Sequence, residues 1–152
     1  MHPSLQKHPN DLLFFALGGA NEIGMNFNVY YLHGKFLIVD CGIGFTSDVP
    51  GAEIQLPKTG FIEQYKDDIV GMIITHAHED HVGGVPYLWQ YLGCPIYTTK
   101  FTAEVIKAKF AEFSVTEEVP IHVIEPGHMI NLNPFSFGLP PKGSEVLSLD
   151  LF

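Results

Sequence analysis

A ten-residue stretch, THAHEDHVGG at residues 75–84, holds three of the eight histidines of this 152-residue chain. It directly follows an apolar, β-branched run, IVGMIIT, which predicts a fully buried strand. A metal that activates water needs neutral imidazoles and carboxylates that converge on one point, and a turn after a buried strand is a rigid place for them. The pattern therefore favours a fold in which the end of a strand presents a metal site. The candidate ligands are His76, His78, Asp80 and His81.

The spacing His-x-His-x-Asp-His lets the first two side chains reach one metal ion and the next two reach a second. Two ions about 3.5–4 Å apart can hold a hydroxide between them and clamp a phosphate during its displacement. The alternative is that these four polar residues lie in a solvated turn and bind nothing. An isolated histidine would usually be interpreted in that way. Four candidate ligands within six residues favour the metal site over that alternative.

Predicted strands alternate with predicted helices along the rest of the chain. Residues 26–33 and 35–42 have the pattern of two paired strands joined by a turn at Gly34. Helical spacing is found at residues 83–92 and 101–113. This alternation predicts an α/β architecture. One face of the first helix is formed by Val85, Leu88, Trp89 and Leu92.

The composition limits the partners and the compartment. With eight lysines, no arginine and a formal charge of −9, the chain is a poor electrostatic match for nucleic acid, whose phosphates usually supply most of the affinity. Cys41 and Cys94 match no metal-binding spacing, and we interpret them as two buried thiols in a reducing cytosol. No run approaches the roughly 20 apolar residues that a membrane span needs, and the N-terminus lacks the pattern of a signal peptide. We therefore expect a cytoplasmic protein.

The two ends of the chain depart from the α/β pattern. Residues 1–11 are polar and are predicted to form a loose leader. The final stretch, GLPPKGSEVLSLDLF, places two prolines and a glycine where a strand should continue. We therefore divide the chain into a leader at 1–11, a folded region at 12–137 and an atypical tail at 138–152.

The histidine motif and several other segments carry a resemblance to a known family. THAHEDHVGG resembles the HxHxDH signature of the metallo-β-lactamase superfamily of metal-dependent hydrolases. LGGANEIGMN (residues 17–26) is similar to the opening loop of the ribonuclease J branch, whose enzymes carry an inserted β-CASP domain. IVDCG (38–42) is similar to the first motif of the superfamily, a strand that ends in aspartate. Residues 83–110 are similar to the segment that follows the metal motif, so the resemblance covers roughly residues 12–137.

The resemblance implies an αββα sandwich that holds two zinc ions. It implies that His76 and His78 ligate the first zinc and that Asp80 and His81 ligate the second. Asp80 would also orient the bridging hydroxide. Asp40 would fix the orientation of the ligands, the alternative being a polar strand end that caps a turn.

The same resemblance places Glu22 and Asn26 in a loop near the site. For both residues, ordinary turn chemistry is at least as well supported as a role in catalysis. The remaining histidines are interpreted as leader, turn or strand residues and not as ligands. These are His2, His8, His33, His122 and His128.

The chain departs from the family pattern after residue 137. The family uses a further histidine after the next strand, an aspartate that bridges both metals and a late histidine, whereas no histidine follows His128 here. A metal ion held by only two protein ligands should bind more weakly than one held by three or four. We expect residues 12–137 to form only the N-terminal half of the sandwich, shortened by a frameshift or an early stop near Phe137. Its inner face would then be exposed, giving poor solubility or pairing with another copy or with a complementing chain.

Three functions remain open at this point. The favoured one is a zinc-dependent ribonuclease that acts on RNA, with activity impaired by the incomplete ligand set. The second is another hydrolase of the superfamily, acting on a thioester or a lactam, since HxHxDH alone does not separate these substrates. The third is a remnant or a subunit without catalysis. The GGANEIG loop and the segment after the metal motif favour the nuclease.

Overall fold

The computed structural model describes residues 2–45, 51 and 53–138. Except for Gly138, the expected tail at 138–152 therefore lies outside the described residues. The strands are β1 Leu13–Gly18, β2 Phe27–Leu32, β3 Lys35–Val39, β4 Ile69–Ile73, β5 Ile96–Thr98, β6 Ile121–Val123, β7 Met129–Leu132 and β8 Phe135–Gly138. The α-helices are α1 Pro3–Gln6, α2 Gly60–Glu63, α3 Glu79–Val82, α4 Val85–Leu92 and α5 Lys100–Glu112, with a 3-10 turn at Lys66–Asp68.

Six strands form one mixed sheet in the order β1-β2-β3-β4-β5-β6. The first three strands pair antiparallel, and β3 to β6 run parallel. The predicted turn between β2 and β3 is present: His33 and Gly34 both have positive φ, 48° and 80°, as a tight two-residue hairpin requires. The predicted α/β class is confirmed.

The helices cover one face of this sheet. On α4 the apolar residues that were predicted to share a face are all buried, and the helix ends at Gly93 in the left-handed conformation. Thr99 caps the N-terminus of helix α5, and its side chain accepts a hydrogen bond from the Thr102 amide. The main core lies between these helices and the sheet. Its fully buried members include Phe27, Val29, Ile38, Met72, Ile74, Ile96 and Ile106.

A smaller core lies on the opposite face, under the β7–β8 hairpin. Phe135 and Phe137 of β8 pack on Leu37 and Ile73 of the sheet, and all four are at most 1% exposed. The expectation that this inner face would be exposed is therefore wrong for Leu37 and Ile73. The reason is that the strand predicted around NPFSF folds back as the second strand of a hairpin and covers them.

The N-terminal segment differs from the expected loose leader. Residues Pro3–Gln6 form a helical turn, and Leu5 is only 1% exposed within the main core. The amide of His2 donates to the hydroxyl of Tyr65 at 2.7 Å. One apolar residue, Leu5, docks this polar stretch onto the core. The sequence did not predict this, because the pocket is formed by residues that are distant in sequence. Among the described residues, no helix is long and apolar enough to cross a bilayer.

Candidate metal centre

The histidine motif begins where β4 ends, beside the end of β3. These two strands are parallel neighbours, so their carboxyl ends lie at the same edge of the sheet. Asp40, directly after β3, is only 4% exposed. Its Oδ1 accepts hydrogen bonds from the amide and the hydroxyl of Thr75, at 2.8 and 2.9 Å. The adjacency of two strand ends thus joins the IVDCG motif to the histidine motif.

Asp40 also fixes the ring of His81. The Nδ1 atom of His81 lies 2.7 Å from Asp40 Oδ2, so Nδ1 carries the proton and donates it to the carboxylate. The Nε2 atom of His81 then offers its lone pair on the opposite side, 3.4 Å from Asp80 Oδ2. The hydrogen bond that His81 donates to Asp40 is the main cause of the raised pKa of His81, against the opposing effect of burial.

The same carboxylate reaches His76 through Thr75. The hydroxyl of Thr75 lies 2.9 Å from Nδ1 of His76. Because a hydroxyl has one proton and Asp40 accepts it, the Thr75 oxygen must accept from Nδ1–H of His76. Nε2 of His76 is therefore left as the acceptor. A metal ligand needs this unprotonated nitrogen, and one buried carboxylate prepares it on both rings.

The three imidazoles of the motif are in contact. The ring centroids of His76 and His78 are 4.7 Å apart, and those of His76 and His81 are 4.1 Å apart. Burial lowers the pKa of His76, and the neighbouring His81 lowers it further. A lowered pKa keeps His76 neutral, which is the form that binds a metal.

Helix α3, which carries Asp80 and His81, has only four residues and cannot be stable alone. Main-chain donors from two other segments satisfy three of its successive carbonyl groups. Gly42 lies so close to it that an added Cβ would stand 1.7 Å from the Asp80 carbonyl oxygen, so only glycine fits there. The three main-chain hydrogen bonds to the carbonyl groups of α3 run from Ile43 N–H to Glu79 at 3.0 Å, from Asn26 N–H to Asp80 at 3.1 Å and from Cys41 N–H to His81 at 2.8 Å.

The two loop candidates behave differently. Asn26 contacts Asp80, with its side-chain Nδ2 3.0 Å from the Asp80 carbonyl oxygen. Glu22 is exposed, and its carboxylate accepts from the amide of Gly19 at 2.9 Å, which is the ordinary turn chemistry that the sequence left open. Sequence reasoning missed Thr75 and Gly42. Both stand within the quoted motifs, and a hydroxyl directly before the first histidine was the available signal.

The side chains of the cluster, imidazoles and a carboxylate, are of the kinds that bind metal ions, and they lie in two pairs. Asp80 and His81 approach each other, as do the rings of His76 and His78. Among the described residues, however, no group of three His, Cys, Asp or Glu side chains is placed to hold one ion. Each pair would therefore leave coordination positions to water or to ligands from elsewhere.

Comparisons with known proteins find a matching family and several relatives. The family described as the metallo-beta-lactamase superfamily matches residues 26–142. Ribonuclease J from Sinorhizobium meliloti is 40% identical over 131 residues, which cover 83% of this chain and 23% of that protein. Ribonuclease J from Mycobacterium tuberculosis is 41% identical over 103 residues, which cover 66% of this chain and 18% of that protein. The chain thus matches about a fifth of the length of these curated relatives.

A solved structure shows the same fold at low sequence identity. A B3 metallo-β-lactamase with an active-site glutamic acid superposes with a TM-score of 0.53 and 15% identity, covering 96% of this chain and 58% of that one. This likeness supports the α/β fold alone. The present chain corresponds to only part of that fold.

Proposed function

Because the chain belongs to the metallo-β-lactamase superfamily, we propose that its histidine cluster serves zinc-dependent hydrolysis of RNA phosphodiester bonds. One observation carries the proposal: the HAHEDH turn, the strand-end Asp40 and Asn26 of the LGGANEIGMN loop meet at one place. The relatives named ribonuclease J, at about 40% identity, support RNA as the substrate class. Full activity would belong to a whole enzyme, of which residues 12–137 would form the N-terminal part of the catalytic domain, and the chain alone would retain slow cleavage.

In this proposal the four side chains act in two pairs. His76 and His78 would hold one zinc ion, and Asp80 and His81 would hold the other. Zinc ions in such a centre supply a Lewis acid for the phosphate and lower the pKa of a bound water. The Asp80 carboxylate is 39% exposed, which allows it to accept a hydrogen bond from the attacking water. Asp40 orients His81 directly and His76 through Thr75.

The acidic charge and the lack of arginine bear on the partners. A net charge of −9 offers little attraction for an RNA backbone, so the surfaces that grip RNA would lie in other parts of the enzyme. We propose the same for further metal ligands, which a longer chain, a second copy or a complementing chain would supply. The proposed location is the cytoplasm, where RNA decay takes place.

Cleavage of 5′-monophosphate RNA tests this function. The purified chain is incubated with zinc and with a labelled oligoribonucleotide, beside a chromogenic β-lactam and a glutathione thioester as competing substrate classes. We expect slow cleavage of RNA alone, lost in His76→Ala and in Asp80→Ala. His128→Ala is the matched control, because His128 is an exposed turn residue outside the cluster.

Three results would contradict the proposal. Hydrolysis of the lactam or the thioester without cleavage of RNA would favour another branch of the superfamily. No hydrolysis of any substrate would favour a role without catalysis. RNA cleavage that persists in His76→Ala would identify a contaminating nuclease.

A further inference from the structure

Asn26 contacts the second half of the histidine motif with both its main chain and its side chain. Its amide N–H and its Nδ2 both donate to the carbonyl oxygen of Asp80, at 3.1 and 3.0 Å. The same Nδ2 atom lies 3.4 Å from Nε2 of His81. One carboxamide therefore touches both residues of the pair that would hold the second zinc ion.

The Asp80 carbonyl needs these donors. In a continuing helix it would accept from the amide of Gly84, but that amide donates to the carbonyl of Cys41 at 2.8 Å instead. The helix ends there, and Asn26 replaces the lost helical bond with two others.

The packing around Asn26 holds its carboxamide in place. A Cβ added at Gly19 would stand 2.7 Å from Oδ1 of Asn26, so this glycine allows the close approach. The φ of Gly19, 81°, also lies in the region that favours glycine. The carbonyl of Asn26 in turn accepts from Gly42 at 2.9 Å. The glycines of two motifs thus enclose Asn26.

The chemistry at Nε2 of His81 gives the carboxamide a defined role. Nδ1 keeps its proton and donates a hydrogen bond to Asp40, so Nε2 presents a lone pair. One hydrogen of the Asn26 Nδ2 group serves the Asp80 carbonyl. The second is available to that lone pair, because Nδ2 lies 3.4 Å from Nε2. All polar contacts of Asn26 in this corner pair a donor with an acceptor.

We propose that Asn26 is a positioning residue that holds Asp80 and His81 in the arrangement needed for the second metal ion. This role rests on the proposed function, because it requires that Asp80 and His81 bind a metal ion. It assigns to Asn26 a contact with the ligands and not with the RNA. Asn26 keeps Nε2 aligned before a metal arrives, and the Asp80 carbonyl remains its partner afterwards.

Two substitutions at residue 26 and one control test the proposal in the full 152-residue chain. Asn26→Ala removes the side-chain donor but keeps the main-chain bond. Asn26→Asp keeps the shape but sets a carboxylate against a carbonyl oxygen and a ring lone pair. Asn28→Ala is the matched control, since Asn28 lies two residues further, in β2, and pairs through its main chain with Val39.

The measurements are zinc affinity by competition with a chelator and the ¹⁵N resonances of the histidine rings in the metal-free chain. We expect zinc at the Asp80–His81 position to lose about 10-fold to 100-fold in affinity in Asn26→Ala, and more in Asn26→Asp. The Nε2 resonance of His81 should move toward that of an unbonded nitrogen, while the rings of His76 and His78 stay unchanged. Asn28→Ala should match the wild type in both measurements.

Unchanged zinc affinity together with an unchanged His81 resonance would overturn the proposal. Equal shifts of all three rings with a lowered melting temperature would also overturn it, because they indicate a general structural role. Neither measurement uses RNA. A chain that fails to cleave RNA but shows the Asn26 effects would refute the ribonuclease and leave the positioning role standing.

Discussion

The two halves of the histidine motif are held in different ways. His81 bonds directly to Asp40 at 2.7 Å and sits on a short helix whose carbonyls are satisfied by other segments. His76 reaches Asp40 only through the Thr75 hydroxyl, and His78 meets His76 through a ring contact. One buried carboxylate therefore orients both halves, one directly and one through a relay. The Asp80–His81 half therefore has more direct hydrogen bonds to other segments than the His76–His78 half.

The same difference is seen in the protonation of the rings. The hydrogen bond to Asp40 raises the pKa of His81, whereas burial and the nearby His81 lower the pKa of His76. A metal must displace a proton from His81 more often than from His76 at the same pH. Substitutions that act on Asp40, on the relay or on the short helix should therefore separate the two halves.

The largest effect is expected from Gly42→Ala. Its Cβ would stand 1.7 Å from the Asp80 carbonyl oxygen and force helix α3 away from the segment that supports it. We expect a loss of about 3 kcal/mol or more in the free energy of unfolding, measured by urea denaturation, and loss of zinc binding by Asp80 and His81. Gly60→Ala is the control, since a Cβ at Gly60 meets nothing within 4 Å. A stable Gly42→Ala chain with normal zinc binding would show that α3 does not depend on this contact.

Asp40→Asn should affect both halves. Three donor groups, the amide and hydroxyl of Thr75 and Nδ1 of His81, share the two carboxylate oxygens. An amide keeps one acceptor, so at least one buried donor loses its partner, at a cost of about 1–3 kcal/mol. We also expect zinc affinity to fall about 10-fold to 100-fold.

The control for Asp40→Asn is Asp68→Asn. Asp68 forms a half-exposed ion pair with Lys35 at 2.8 Å, far from the cluster. Its loss should change the free energy of unfolding by no more than about 1 kcal/mol and leave zinc affinity unchanged. Equal effects of the two substitutions would show that Asp40 has no special role in orienting the proposed metal ligands.

Thr75→Val should separate the halves. Valine keeps the side-chain shape and the hydrogen bond from the main-chain N–H of residue 75 to Asp40. It removes the hydroxyl that accepts from His76. We expect about 1 kcal/mol of destabilisation, with the ¹⁵N resonances of His76 changed and those of His81 unchanged. Thr98→Val is the control, because the buried Thr98 hydroxyl donates to the Ile74 carbonyl at 2.7 Å. It should cost similar stability without a change at either ring, and a shift of both rings in Thr75→Val would contradict the relay.

The smallest effect is the separation of two midpoints in an NMR titration of the metal-free chain. His81 should titrate above the ordinary value of 6.5 and His76 below it. A raised pKa stabilises the fold below the unfolded value, and His81 loses this contribution as the pH rises through its midpoint. A lowered pKa stabilises above the unfolded value, and His76 loses its contribution as the pH falls through its midpoint. The reversed order of midpoints would contradict the network.

Local patterns in the sequence predicted much of this structure. The alternation of apolar residues located the strands, the spacing on α4 identified its buried face, and the clustered candidate ligands indicated the proposed site. The long-range contacts were beyond such patterns. Thr75 meets Asp40 from 35 positions away, and Asn26 meets Asp80 from 54 positions away. No local periodicity encodes such a pairing, and Asp40 and Asn26 were found through resemblance.

The same reason explains the corrections. A polar N-terminus predicts a loose segment, but the docking of Leu5 depends on a pocket built by residues distant in sequence. A strand pattern at NPFSF does not tell which face it will cover, and β8 packs on Leu37 and Ile73. Both errors concern what a segment packs against and not what it forms.

The most direct test of the account is the amount of zinc bound per chain, measured by equilibrium dialysis of the metal-free protein. Wild type is compared with His76→Ala and His81→Ala, and His128→Ala is the control. If the cluster holds metal in two pairs, wild type and control bind about two zinc ions at saturation and each of the other variants binds about one. A wild-type chain that binds no zinc, or variants that bind as much as wild type, would contradict a metal centre built from His76, His78, Asp80 and His81.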